Sequence, residues 1–182
     1  MKNYRPTLLA IIALCFLFTA CKKDQQATGS EFSATKTTTN ANSLSVETTT
    51  WKAATTNTGF YPKATNDSLV ISGIENDAQA TTANLTITLK QKGAGTYKGS
   101  EIKAYFYYIV GGDAISGQYL LDPIANNQVV ITSYDETNHV LKGTFNLTFK
   151  NAFVNYTTTT IKLSNGKINL PLANQFIFPI KY

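Results

Sequence analysis

Leu85-Thr86-Ile87-Thr88-Leu89-Lys90 alternates apolar and polar residues without a break. Residues 141–150 repeat the pattern, with Leu141, Gly143, Phe145, Leu147 and Phe149 set against Lys142, Thr144, Asn146, Thr148 and Lys150. Successive side chains of a strand point to opposite faces, so such runs suit a sheet with one packed and one wet face. Further strands are predicted at Leu69–Ser72, Tyr105–Val110, Gln118–Leu121, Val129–Tyr134, Thr159–Leu163, Ile168–Leu172 and Gln175–Ile180. Turn-forming stretches separate them at Gly93-Ala94-Gly95, Gly111-Gly112, Asp122-Pro123 and Asp135-Glu136-Thr137-Asn138. Asn165-Gly166, between two apolar-patterned runs, is the strongest hairpin signal because both residues tolerate positive φ. Helical periodicity is missing after residue 20. The pattern predicts an all-β chain, an antiparallel β-sandwich of about eight to ten strands, with a flattened lipocalin-like β-barrel as the alternative.

The N-terminus has a different grammar. Lys2 and Arg5 form a short basic region, and Leu8–Phe18 is an almost unbroken apolar stretch. About eleven residues match the core of a secretory signal and fall well short of the ~20 that span a bilayer as a helix. Leu17-Phe18-Thr19-Ala20-Cys21 then resembles the lipobox of a bacterial lipoprotein, with Phe18 where leucine is commonest. The resemblance implies cleavage before Cys21 and diacylglycerol on its thiol. Residues 1–20 are therefore expected to be a lipoprotein signal peptide. Lys22 is not the Asp that favours inner-membrane retention in enteric systems, so the outer membrane is expected, with the domain facing either periplasm or medium.

Loss of Cys15 with the signal and acylation of Cys21 leave no pair of thiols for a disulfide or a thiolate zinc site. Removing Lys2 and Arg5 lowers the formal net charge from +5 to +3, and Arg5 is the only arginine. Nucleic-acid recognition leans on the bidentate arginine fork, so no nucleic-acid partner is expected. Residues 21–45 are rich in Lys, Thr, Asn and Ser, with Phe32 the only large aromatic. They are expected to be a tether, too polar to offset the entropy of ordering. About 20 such residues have a mean reach of roughly 25 Å. Residues 46–182 then form the folded domain, and the stretch after Leu44 is the alternative start of the first strand.

Within that domain, Trp51-Lys52-Ala53, Leu69-Val70-Ile71-Ser72-Gly73 and Gly95-Thr96-Tyr97 follow one another in a characteristic order. Val129–Asp135, Leu141–Leu147 and Ile161–Lys167 continue it. These segments resemble an uncharacterised family of all-β, single-domain lipoproteins common in Bacteroidota, over residues 51–172. Pro171–Tyr182 adds an apolar tail that the family usually lacks. The family has no established activity or catalytic residues, so the resemblance implies none here.

The inventory for chemistry is short. His139 is the only histidine, and it reads as a surface residue flanking a hairpin; no Gly-x-Ser-x-Gly elbow accompanies it. Common zinc sites need several His or Cys ligands, so neither metal nor cofactor is expected. A glycosidase needs two facing carboxylates. Glu75, Asp77, Glu101, Asp113, Asp122, Asp135 and Glu136 are the candidates, and turn formation accounts for most of them. Glu75-Asn76-Asp77 shows no regular calcium-ligand spacing. Aromatic residues carry the main binding hypothesis. Tyr105-Phe106-Tyr107-Tyr108 puts Tyr105 and Tyr107 on one face, where Trp51 and Tyr119 would extend a platform for sugar rings. The alternative is a strand packed on both faces. Asp67-Ser68-Leu69 resembles the O-glycosylation pattern of extracytoplasmic Bacteroidota proteins, at Ser68.

The expected protein is a monomeric, non-catalytic, lipid-anchored envelope module that binds a glycan or an envelope protein. Two alternatives stand beside it: a carboxylate-pair hydrolase acting on envelope or dietary glycans, and a barrel enclosing a small apolar ligand.

Overall fold

Alternation decides which side chains meet in the interior. In the computed structural model, which describes residues 29–40, 45–63, 66–76, 81–91, 93–111, 114–152 and 158–172, Ala83, Leu85, Ile87 and Leu89 turn inward. So do Leu141, Phe145, Leu147 and Phe149. Eleven strands are formed by these residues: β1 (Glu31–Asn40), β2 (Val46–Lys52), β3 (Thr55–Lys63), β4 (Asn66–Asn76), β5 (Thr81–Leu89), β6 (Gly95–Lys98), β7 (Ile102–Val110), β8 (Ala114–Leu121), β9 (Gln128–Asp135), β10 (Val140–Asn151) and β11 (Thr158–Pro171). A single 3₁₀ turn, Gly99–Glu101, precedes β7. The chain is all-β and antiparallel, as the alternation predicts.

All eleven strands belong to one sheet, with the order β2-β1-β11-β10-β8-β7-β5-β4-β3. The first part of β10 pairs with β9, which pairs with β6, and the last residues of β10 pair with β8. The sheet curls strongly into a half-barrel, so one sheet supplies both layers around the core. Its two ends meet at a covalent corner. Only Ala53 and Ala54 separate β2 from β3. The Ala53 amide donates to the Phe32 carbonyl (2.9 Å) and the next amide, Ala54, donates to the Ile74 carbonyl (2.8 Å). Consecutive amides thus bind opposite ends of the sheet. Nearby, the Thr58 hydroxyl donates to the Pro171 carbonyl, joining β3 to the end of β11.

Two expectations need correction. Residues 31–40, expected within the tether, form β1, which is paired on both sides by β2 and β11. Phe32 is fully buried and Thr35–Thr39 pair with Thr50–Val46, so one anchoring aromatic and two neighbouring strands order a segment too polar to fold alone. Asn165-Gly166 is not a hairpin turn. It lies inside β11, where Asn165 takes φ of 53° and the register slips against both β10 and β1. The left-handed residue that suits a type I′ turn suits a β-bulge equally. Thr159–Leu163 and Ile168–Leu172 are therefore parts of one bent strand and its end. Gln175–Ile180 and the apolar tail after Leu172 lie outside the described residues.

Rings fill the interior. Trp51 meets Phe32 edge to face with centroids 5.1 Å apart, and reaches Phe106 on β7 at 6.4 Å. Phe32 also packs on Phe145 (5.5 Å), and Phe106 on Phe149 (6.0 Å) and Tyr108 (5.4 Å). Close approach here requires glycine: a Cβ on Gly166 would overlap the Phe145 ring, and one on Gly73 would press into Phe32.

Two substitutions test this packing. Phe32→Ala is expected to lower the urea-unfolding free energy by about 3–5 kcal/mol, the range for truncating a buried aromatic; a tether residue would give no change. Gly166→Ala should cost about 1–3 kcal/mol through overpacking, with the slope of the urea transition unchanged.

Candidate functional site

β7 and β8 carry Tyr105, Tyr107 and Tyr119, three of the aromatic residues singled out from the sequence. On β7, Ile102, Ala104 and Phe106 are buried, which turns Lys103, Tyr105 and Tyr107 outward. Register sets Tyr105 opposite Leu120 of β8, and Tyr107 opposite Gln118. Tyr105 and Leu120 are each 43% exposed, unusual for large side chains at paired sheet positions. They stand beside a groove of about 460 Å³, floored by Ala104 and Leu121 and edged by Ser100, Lys103, Pro123 and Asn127.

The loop that bounds this groove is tied down by its own polar groups. The Asp122 carboxylate accepts from the Ile124 amide (3.2 Å) and pairs with Lys150 (3.1 Å). Its backbone amide donates to the Thr148 carbonyl at 2.8 Å. The Asn127 side chain donates to the Asp122 carbonyl (2.6 Å) and accepts from the Thr148 amide (2.8 Å). Asp122 and Asn127 are both buried. This network fastens the loop to β10 and leaves Ile124 projecting, 85% exposed. A rigid loop costs little ordering entropy on binding.

The four aromatic residues expected to form one platform divide between two faces. Tyr105 and Tyr107 are outside; Trp51 and Tyr119 are inside and buried, Trp51 completely. Parity explains the split, because Trp51 pairs with inward Ala34, and Tyr119 with inward Phe106. The Trp51 indole nitrogen has no hydrogen-bond partner, which costs about 1–3 kcal/mol. Burying roughly 150–250 Å² of ring offsets it by about 4–6 kcal/mol. Ser68 sits half-buried on β4, paired with Tyr61. Cys21 lies outside the described residues.

Acidic residues serve local structure. Asp135 accepts from the Thr137 and Asn138 amides (2.9 Å each) and from the Asn138 side chain (2.7 Å). The Asn138 amide group, ahead of the others, holds its carboxyl below the usual carboxylate range. Glu75 accepts from the Lys52 amide (3.3 Å) and faces Lys36 at 3.7 Å. Glu101 caps the 3₁₀ turn through the Lys98 amide, and Glu136 accepts from Tyr134. Asp77 and Asp113 lie outside the described residues. His139 is exposed, at φ of 53° in the turn before β10. Among the described residues, no three His, Cys, Asp or Glu side chains gather as a metal site. The groove's lining combines the Tyr105 ring and Leu120 with the polar side chains of Ser100, Lys103 and Asn127.

Leu120, Lys103, Ile124 and Asn127 were not legible as site residues. Leu120 looks like the end of an apolar strand, and only the Tyr105 pairing puts it outside. No family model, curated protein or solved structure matches this chain.

Asn127→Ala strips the acceptor from the half-buried Thr148 amide and one of two donors from the Asp122 carbonyl, which keeps the Ala125 amide at 3.3 Å. It is expected to destabilise the fold by about 1–3 kcal/mol and to speed hydrogen exchange at Thr148 and Ile124 ahead of the rest of the sheet.

Proposed function

We propose that this protein is a lipid-anchored envelope module that holds a glycan against the outer face of β7 and β8. The observation that carries the reading is the exposed Tyr105–Leu120 pair beside a groove with a fixed rim. An aromatic ring with a polar tip suits the apolar C–H face of a pyranose, while its hydroxyls need donors at the edge. Ser100 and Lys103 stand at that edge. The anchor half of the reading is supported by the sequence around Cys21, and an outer-membrane location follows from Lys22 after it.

A glycan array probed with the full-length protein should return a defined set of ligands. Tyr105→Ala should weaken them at least about tenfold, the scale of an aromatic hot spot, with an unchanged melting temperature. An empty array, or equal binding by Tyr105→Ala, would remove the glycan reading. Tyr119→Ala is the contrasting variant: its ring is inside, so it should lower stability as well as binding.

A further inference from the structure

The outer face of β2, β1, β11 and β10 is chemically unlike the groove. Cross-strand register lines up Lys52, Ser33, Lys167 and Thr144 in one row, and Asn169 lies between Glu31 and Lys142 in the next. Lys162 stands between Thr37 and Thr148 farther along. The four lysines are exposed, and Glu31 is the one carboxylate that these four strands turn to that face. It is committed to Ser33 (2.8 Å) and to Lys167 (3.5 Å). Lys150, farther along the same face of β10, is paired with Asp122. Lys52, Lys142 and Lys162 remain as positive charge on a surface made mostly of Thr, Ser and Asn, with Val46 exposed at the start of β2.

The chain also enters the domain at this face. Asn169 donates to the Gly29 carbonyl at 2.7 Å, pinning the segment that leads into Glu31. Residues 22–30 alone separate Cys21 from β1. Even fully extended, such a link spans at most about 35 Å, roughly the diameter of a small domain. The formation of β1 therefore more than halves the expected tether and holds the Glu31 corner near the bilayer.

We infer that this lysine face lies against anionic lipid headgroups, fixing how the anchored domain sits on its membrane. The inference rests on the anchor reading above and is independent of the glycan reading. Anionic bilayers attract lysines within a screening length of the surface, and lysines gathered on one face of the sheet favour a single orientation. The orientation has a consequence for the groove. Trp51 of β2 touches Phe106 of β7 across the core, so the outer face of β7 points away from the outer face of β1 and β2. Docking the lysines turns Tyr105 away from the membrane.

Lysine acetylation footprinting of the full-length protein reconstituted in vesicles tests this. In phosphatidylcholine–phosphatidylglycerol vesicles, Lys52, Lys142 and Lys162 should be labelled several-fold more slowly than Lys90 and Lys103. The difference should vanish in pure phosphatidylcholine, and at about 1 M salt, where screening falls to about 3 Å. Equal labelling in the anionic vesicles, or protection indifferent to lipid charge and salt, overturns the proposal. Intact-mass measurement of protein from its own membrane reads the anchor separately. If no acyl mass is found, the anchor reading fails, and the face is tested by adding the protein to the same vesicles. Binding to anionic vesicles that the Lys52→Gln, Lys142→Gln, Lys162→Gln triple variant loses at least about tenfold retains the lysine face; its absence overturns it.

Discussion

A curled sheet has two ends, and here a pair of rings holds them together. Phe32 comes from β1 and Trp51 from β2, neighbours at one end of the strand order, yet Phe32 packs on Gly73 of β4 and Trp51 on Phe106 of β7. Those contacts cross the interior. The backbone corner at Ala53-Ala54 then bonds to both ends within two residues. No thiol occurs after Cys21, so packing has to do what a disulfide does in many secreted β domains. Each aromatic pair adds about 0.5–1.5 kcal/mol beyond its buried area. Their larger effect is geometric: they set β1 and β2 against β4, β7 and β10 across the interior.

Rings pack the inner face of the curled sheet, and the outer face is divided by strand. β7 and β8 carry exposed apolar residues next to a braced loop, whereas β10, β11, β1 and β2 carry lysine and threonine. Among the described residues, β2 and β3 stand at the ends of the strand order; Pro62 gives β3 a position with no amide to offer another chain, and β2 ends in exposed Lys52.

Legibility followed the strength of each local signal. The inner faces of β5 and β10 could be read residue by residue, because their alternation is uninterrupted. β1 could not, since Thr35–Asn40 carries no periodic apolar set; its order comes from Phe32 and from ladders with β2 and β11, which are contacts of long sequence separation. Asn165-Gly166 signalled positive φ correctly and topology wrongly, because a bulge and a hairpin ask for the same backbone conformation. That Tyr105 and Tyr107 share a face was visible in the sequence; that this face is the outer one was not. Trp51 and Tyr119 were placed with them and lie inside instead, because their parity depends on how β2 and β8 are registered against their partners.

The bulge at Asn165-Gly166 shows how these levels connect. By slipping β11 against β10 and β1 at the same height, it bends three adjacent strands at once, and bending is what lets the sheet curl far enough for Trp51 to reach Phe106. The Asn165 amide donates to the Asn146 side chain at 3.0 Å, so the irregular backbone is satisfied from the outer face. Gly166 leaves the space that the Phe145 ring occupies on the inner face, and Phe145 supports Phe32. The same two residues therefore set the curvature, the closure of the core, and the separation of a lysine face from an aromatic one. A hairpin at that position would have divided β11 into two short strands and ended its continuous pairing with β10 and β1.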